Sequence, residues 1–532
     1  MAESSTVVGE GTYGCVHNPP LNCKGKSDRP SGDKVTKLMK DSEASEELKE
    51  YNAVKMADPN NDYYLGTPES CTVDNNEYNK QSAVKCRRLK DADPQIVNNL
   101  SKYTLLIMEN GGDNLEQYSK KLSQGSNSPE RMVQIERFWL EAHRALLGVK
   151  VFLDHGIIHH DLKPQNIVYN DKTGRINFID FGLIQEKKTM IKDAVKSKYG
   201  FRKFHWSFPL ECKYLNKKAY DKYASYSDKF KTDNLKSITG SLKEGGGTEA
   251  SDAIRFFLHH AANENGSFLN LEKMTSNILK QFGETLLHVI TPGQVPYETM
   301  LNKCVDTFDS YGVGFGLLNV LKNAYKKMDI HLSNDLSNLF LDMTNANVMK
   351  RISIETAIHR YEEILEKNKV LKRFNKHFNK HVLVDGPLIP VILEKTIADA
   401  SAKAKSISPK EMKEIIADNP EIMEPKPLSS VSESASLILG TDLGFSMPRS
   451  GSEKHSHSRS ASMKPISKKK RLVIKGVREL VVGSCPEGKE MNPKTRRCVK
   501  KCKEGESRND KFECRKTQRK WKMRKAEKNM IE

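Results

Sequence analysis

Over residues 1–110 apolar positions come in short alternating runs, and further along they recur at helical spacing. STVVGEGTYGCVH (5–17) alternates around glycines as a hairpin does, KVTKLM (34–39) has the make-up of a short strand, and YTLLIMEN (103–110) is an apolar strand. One helix interrupts them: in ASEELKEYNAVKM (44–56) the apolar side chains Ala44, Leu48, Tyr51 and Val54 return on one face. Long helical patterns follow, among them MVQIERFWLEAHRALLGVKVFLDHG (132–156) and VGFGLLNVLKNAYKKM (313–328). Strands first and helices later predict an α+β fold in two lobes, the first spanning 1–110 and the second 111–366. A stretch from about 213 to 304, Lys-, Ser- and Gly-rich at its start (SLKEGGGTEASD, 241–252), reads as a large insertion in the second lobe. Beyond it, 367–467 reads as a helical extension followed by a Ser-rich linker. Residues 401–467 carry few aromatics and predict disorder.

Composition narrows this picture. The 532 residues are 37% hydrophobic and 29% charged, and the longest apolar run, VLVDGPLIPVIL (382–393), is broken by Asp385, Gly386 and two prolines. It falls short of the roughly 20 apolar residues a membrane span needs. MAESSTVVGEG lacks the basic and apolar regions of a signal peptide. The expectation is a protein without membrane attachment on the cytoplasmic side of its cell, with the nucleus or a virus particle as further destinations. The net charge of +19 is uneven: residues 468–532 hold 23 Lys and Arg against 9 Asp and Glu, a net +14. A polyanion or acidic partner is therefore expected at 468–532 alone. Of ten cysteines, six (15, 23, 71, 86, 212, 304) lie scattered and read as buried or idle thiols. The other four (485, 498, 502, 514) cluster near the end.

Four short motifs in one order carry chemistry. GEGTYGCV (9–16) places Gly9, Gly11 and Gly14 ahead of Val16, and glycines let backbone N–H groups approach a polyphosphate closely. Lys37 in the next strand suits phosphate contact. Glu47, on the inward face of the following helix, suits an ion pair with it, although Glu46 and Glu50 compete for that role. HHDLKPQN (159–166) supplies Asp161 to take a hydroxyl proton, Lys163 to neutralise a transferring phosphoryl group, and Asn166 as a metal ligand. IDFGLI (179–184) supplies a second ligand, Asp180, and the strands between are expected to form a hairpin turning at NDKTG (170–174).

Together these residues resemble a eukaryotic-type protein kinase over 9 to about 366. Asp161-Leu-Lys163 follows the serine/threonine pattern. The resemblance implies ATP and Mg²⁺ as cofactors, and protein substrates. It implies Met108 as gatekeeper, with Glu109 and Asn110 as hinge backbone for the adenine edge. FPLE (208–211) resembles the end of the activation segment, with Glu211 pairing Arg351 of KRIS (350–353). Asp309 of DSYGVG (309–314) would brace the catalytic loop. The long gap from Val16 to Lys37, occupied by PPLNC (19–23), and the insertion resemble divergent kinases of large nucleocytoplasmic DNA viruses, the iridovirus type in particular. Where regulated kinases keep an arginine that binds an activation-segment phosphate, this chain has His160. A histidine is mostly neutral at pH 7 and lacks arginine's fork, so Thr189, Ser197 and Tyr199 would gain little from phosphorylation.

CPEGKEMNPKTRRC (485–498) resembles the two-cysteine adaptor motif of the same viruses, and KCKEGESRNDKFECRK (501–516) looks like a degraded second copy. Zinc ligation, disulfide-closed hairpins and free thiols all stay open for its cysteines. Two other functions also stay open: a catalytically weak nucleotide-binding scaffold that recruits partners through its tail, and a kinase acting on a small molecule or lipid. Oligomeric state is not legible.

Overall fold

In KVTKLMK the side chains of Val35, Thr36, Leu38 and Met39 are buried, and this run forms the middle strand of a sheet. The computed structural model describes residues 4–374 apart from 12, 125–127, 202, 245–246 and 264–267. It also describes 390–419 and four short strands between 489 and 516. β1 (Thr6–Glu10), β2 (Gly14–Asn18), β3 (Lys34–Lys40), β4 (Glu69–Thr72) and β5 (Tyr103–Glu109) make a sheet in the order β1-β2-β3-β5-β4. All neighbours are antiparallel, and Lys37 lies opposite Leu106. α1 (Asp41–Ala57) buries Ala44, Glu47, Tyr51 and Val54, the face its spacing predicts. The short α2 (Glu77–Ala83) and α3 (Arg87–Ala92) cover the sheet's other side. There Cys15, Leu38, Ala83, Leu89 and Leu105 share a core with Cys23 and Cys86.

That core corrects the reading of idle thiols. Cys15 is bonded to Cys86 and Cys23 to Cys71. Partners 71 and 48 residues apart meet because the sheet and α3 fold them together, which spacing along a chain does not reveal. Cys212 and Cys304 are buried free thiols, as expected.

After β5 come β6 (Asp113–Asn114), α4 (Leu115–Ser123), α5 (Pro129–Asp154) and β7 (Ile157–Ile158), then the hairpin β8 (Ile167–Asn170) and β9 (Arg175–Phe178). β10 (Gln185–Glu186) pairs with β7 and leads into α6 (Lys187–Val195). The stretch read as an insertion holds α7 (Lys217–Ala224), α8 (Asp228–Glu244), α9 (Glu249–Ala261), α10 (Leu271–Glu284) and α11 (Tyr297–Asp306). It is not peripheral, for Ile238, Ile254, Phe257 and Phe282 are buried in the main helical core. α12 (Phe308–Ala324) is buried almost all round at the centre of that core, with α13 (Ile330–Met343), α14 (Ile354–Lys367) and α15 (Val370–Phe374) beyond it.

Helix continues past residue 401, where disorder was expected, to Asp418. α16 (Pro390–Lys405) and α17 (Pro409–Asp418) pack on α5. Ile397, Ala400, Ala404 and Ile415 are buried, and Ser408 and Glu411 close a capping box. Few aromatics did not matter, because small side chains sufficed to seat α16. The Ser-rich residues from 420 to 467 lie outside the described residues.

The tail, 441–532, is a separate unit. Its described parts are two antiparallel pairs, β11 (Lys489–Met491) with β12 (Cys498–Lys500) and β13 (Glu506–Arg508) with β14 (Cys514–Lys516). Cys485 and Cys502, on which the cysteine chemistry turns, lie outside them. Among the described residues no helix is long and apolar enough to cross a membrane.

Candidate active site

Strand β3 points Lys37 at α1, and the Lys37 Nζ donates to both carboxylate oxygens of Glu47, at 2.8 and 2.6 Å. Burial raises the Glu47 carboxyl, and the Lys37 charge pulls the other way. The three competing glutamates are thereby separated. Glu46 pairs with Lys49 on the exposed side. Glu50 is half-buried and feels Glu47 and Asp180, and burial followed by those charges pushes it up to about 7.

The glycine-rich turn joins β1 to β2, and its Gly11 N–H donates to the Gly14 carbonyl at 2.9 Å. Its glycines differ in purpose. A Cβ on Gly14 would lie 2.3 Å from the Leu38 carbonyl oxygen, so Gly14 lets β2 sit on β3. On Gly9 and Gly11 a Cβ would meet only ordinary contacts at 3.6 and 3.7 Å, so packing does not demand a glycine at either position. Val16 lies opposite Lys37 in the β2–β3 ladder. On β5, Met108 is half-buried opposite Val35. Asn110 differs from expectation: its N–H donates to the Asp33 carbonyl and its own carbonyl accepts from Asn170 Nδ2. Both backbone groups are engaged within the protein.

Below the sheet, Asp309 at the start of α12 accepts the N–H groups of His159 and His160, at 2.6 and 2.9 Å. Burial raises its carboxyl to about 7 against the pull of those two bonds. The loop so held presents Asp161, whose Oδ2 accepts from Lys163 Nζ at 2.7 Å and from Asn166 Nδ2 at 2.9 Å. Burial raises the Asp161 carboxyl, with Lys163 opposing. Since the Asn166 amide nitrogen is spent on Asp161, its oxygen is the atom left for a cation. Together with the Asp180 carboxylate it makes an all-oxygen donor set, which fits Mg²⁺. Asp180 sits at φ +64°, a left-handed backbone uncommon for aspartate, and the next-door Ile179 N–H donates to the Asn166 carbonyl at 3.0 Å. Asp161, Lys163, Asn166 and Asp180 therefore converge.

Several contributors were not legible beforehand. Phe181 packs edge-on against Tyr51 of α1 at 5.4 Å and against Tyr64 at 5.9 Å, and His159 lies on its other side at 4.8 Å. This column of rings ties α1, and with it Glu47, to the catalytic loop. Tyr51 had registered only as an apolar position of a helix. Far below, Arg351 and Glu211 form the expected pair, two bonds at 2.7 and 3.1 Å with both side chains buried. Burial would lower the Arg351 guanidinium, but the Glu211 charge and hydrogen bonds outweigh it and hold it above its usual value. Of the phosphate-acceptor candidates, Thr189 is exposed on α6 and Ser197 half-buried, but Tyr199 is buried and bonded to His160 at 2.6 Å.

Residues 78–199, from α2 through the catalytic loop and past the end of α6, match the family model described as the ABC1 atypical kinase-like domain. Ribosomal protein S6 kinase alpha-4 of Homo sapiens is 31% identical over 117 residues, 20% of this chain and 14% of that protein. Probable cell division control protein 7 homolog 2 of Encephalitozoon cuniculi is 40% identical over 58 residues, 11% of this chain and 16% of its own length. The matched stretches thus span 14% and 16% of these relatives. A mixed α/β, atypical kinase-like domain is present in the chain, with distant kinase-superfamily kinship.

Proposed function

We propose that the chain is a bilobal serine/threonine protein kinase that transfers the γ-phosphate of Mg·ATP to protein hydroxyls. The observation that carries this reading is the complete set of groups drawn to one place. Lys37 is oriented by Glu47, Asp161 is bridged to Lys163 and Asn166, and Asp180 is turned in beside them. Phosphoryl transfer asks little covalent chemistry of a protein and much positioning and charge stabilisation, and that is what this set offers. Lys37 and the glycine-rich turn of Gly9, Gly11 and Gly14 hold the polyphosphate. Asn166 and Asp180 hold Mg²⁺, which would neutralise charge on the phosphates. Asp161 takes the proton of the attacking hydroxyl, and Lys163 offsets charge on the transferring group. The serine/threonine preference rests on the Asp161-Leu-Lys163 spacing, and kinship with the kinases of large DNA viruses rests on PPLNC and the two-cysteine tail frame. The basic residues 468–532 serve as a contact for polyanions or acidic partners.

The test is transfer from radiolabelled ATP to mixed basic and acidic proteins. Asp161→Asn should lower the rate by about 10²–10⁴-fold with nucleotide binding kept, the range of a lost general base. Asp180→Asn should weaken engagement of Mg·ATP itself. If both variants match the parent, the kinase reading is wrong and a nucleotide-binding scaffold takes its place.

A further inference from the structure

His160, where a phosphate-binding arginine was looked for, is fully buried and has φ +68°. Its backbone N–H is fixed by Asp309 and its chain neighbour is Asp161, so the position of its ring is tied to the catalytic loop. The ring lies among Phe201 and Phe308, each at 4.6 Å, and Phe208 at 5.2 Å, with the Phe308 ring stacked on it. Nε2 meets the hydroxyl of Tyr199 at 2.6 Å, and Nδ1 has no partner among the described residues. Burial, helped by His159, pushes the imidazole down to about 3, and burial also pushes the Tyr199 phenol up. Both rings are therefore neutral at physiological pH, and the phenol donates to the imidazole.

Tyr199 is held from its other side as well. Its N–H donates to Asn216 Oδ1 at 3.1 Å, and its carbonyl accepts from Asn216 Nδ2 at 2.9 Å. Two residues earlier, the Ser197 hydroxyl accepts the Lys218 N–H at 2.9 Å. The segment between Asp180 and Glu211 is thus fastened at Tyr199 to the catalytic loop on one side and to the residue before α7 on the other. Every group in these contacts is uncharged.

We propose that the His160–Tyr199 hydrogen bond is a permanent strut that holds the 180–211 segment against the Asp161 loop. His160 and Tyr199 would then be positioning residues for phosphoryl transfer, and a phosphate on that segment is not required. The assignment rests on the kinase reading above. It gives the histidine a role of its own: an imidazole that accepts one phenol proton does uncharged, at all times, what a guanidinium does when a phosphate arrives. It also removes Tyr199 from the set of phosphate acceptors, since its oxygen is enclosed and engaged.

The experiment uses phosphatase-treated full-length protein with Tyr199→Phe, His160→Phe and the double variant. Peptide phosphorylation is followed together with hydrogen exchange over residues 187–216. Each single variant should lower kcat by about twofold to tenfold, the range set by one neutral hydrogen bond. KM for ATP should stay unchanged, exchange around Tyr199 should quicken, and the double variant should be no worse than the poorer single one. Tyr199→Phe is close to isosteric and keeps the test sound if His160→Phe folds badly. A Tyr199→Phe protein with parental kcat and exchange, or losses that simply add in the double variant, would overturn the strut. So would a parental protein that loses its activity to phosphatase and regains it on rephosphorylation. Should the parent transfer no phosphate at all, the kinase reading fails, and exchange alone decides the strut: faster in both single variants sustains it, unchanged overturns it.

Discussion

At the scale of single residues, burial pushes four imidazoles down to about 4 or below: His17, His159 and His205 to about 4 and His160 to about 3. An unfolded imidazole near 6.5 takes up a proton on acidification that the folded His160 refuses. Its contribution to stability is therefore fully present above about 6.5 and is lost as the pH falls towards about 3. Asp309 and Glu50, both raised to about 7, act in the opposite direction. They are common to the parent and a His160→Phe variant, so they drop out of the difference between the two. In the acid window from about pH 6 to 4, the variant should lose stability less steeply than the parent by about 1.4 kcal/mol per pH unit, the value of one proton. Denaturant unfolding at a series of pH values measures this, and parallel curves would mean that His160 is protonated within the fold.

At the scale of elements, the glycine-rich turn is anchored by covalent chemistry. Cys15, next to Gly14, is bridged to Cys86 at the foot of α3, and Glu10 accepts the Arg88 N–H at 2.8 Å beside it. Cys23 to Cys71 ties the loop after β2 to the edge strand β4. Closing loops of these lengths restricts the unfolded chain by an amount on the order of 4 kcal/mol for one bridge, with nested loops adding less than their sum. Reductant should accordingly lower the melting temperature and weaken nucleotide binding, because β1, β2 and α3 lose a common anchor. Peptide mapping of the four cysteines alongside thermal melts checks both points. Four free thiols and an unchanged melt in the protein as isolated would remove the bridges from the account. Such bridges persist where thiols are not kept reduced, which bears directly on where the chain resides.

At the scale of the whole molecule, two C-terminal stretches behave differently. In α16, Ser401 and Lys405 both donate to the buried Glu141 of α5, at 3.0 and 2.9 Å, and just before it Arg373 of α15 pairs with Glu136. Ending the chain before Pro390 would strip Glu141 of two partners and uncover the face of α5 that Ile397 and Ile415 help to cover, at a cost of about 3 kcal/mol or more. Ending it before Lys468 removes a net +14 and none of these contacts. The second truncation should keep the melting temperature and peptide phosphorylation but lose polyanion binding, which in the full chain weakens steeply with salt through counterion release. Equal polyanion affinity with and without 468–532 would end the tail's proposed role.

The groups on which the proposed chemistry rests could be picked out of the sequence because proton transfer and metal ligation would demand particular functional groups at short separations. Lys37, Asp161, Lys163, Asn166 and Asp180 belong to compact motifs, and the strand and helix periods around them follow from burying one face. The strands β3 and β5 and the buried stripe of α1 appear where the pattern placed them. What the pattern left open depended on contacts between distant residues. Glu47 rather than Glu46 or Glu50 faces Lys37 only because α1 docks at one rotation against β3. Cys15 finds Cys86, and His160 finds Tyr199, across 71 and 39 residues of intervening chain. The seating of α16 on α5 was hidden for the same reason, since alanines and a serine look unremarkable until a facing helix supplies Glu141. Local composition determines which groups are available, and only the packing of elements decides which of them meet.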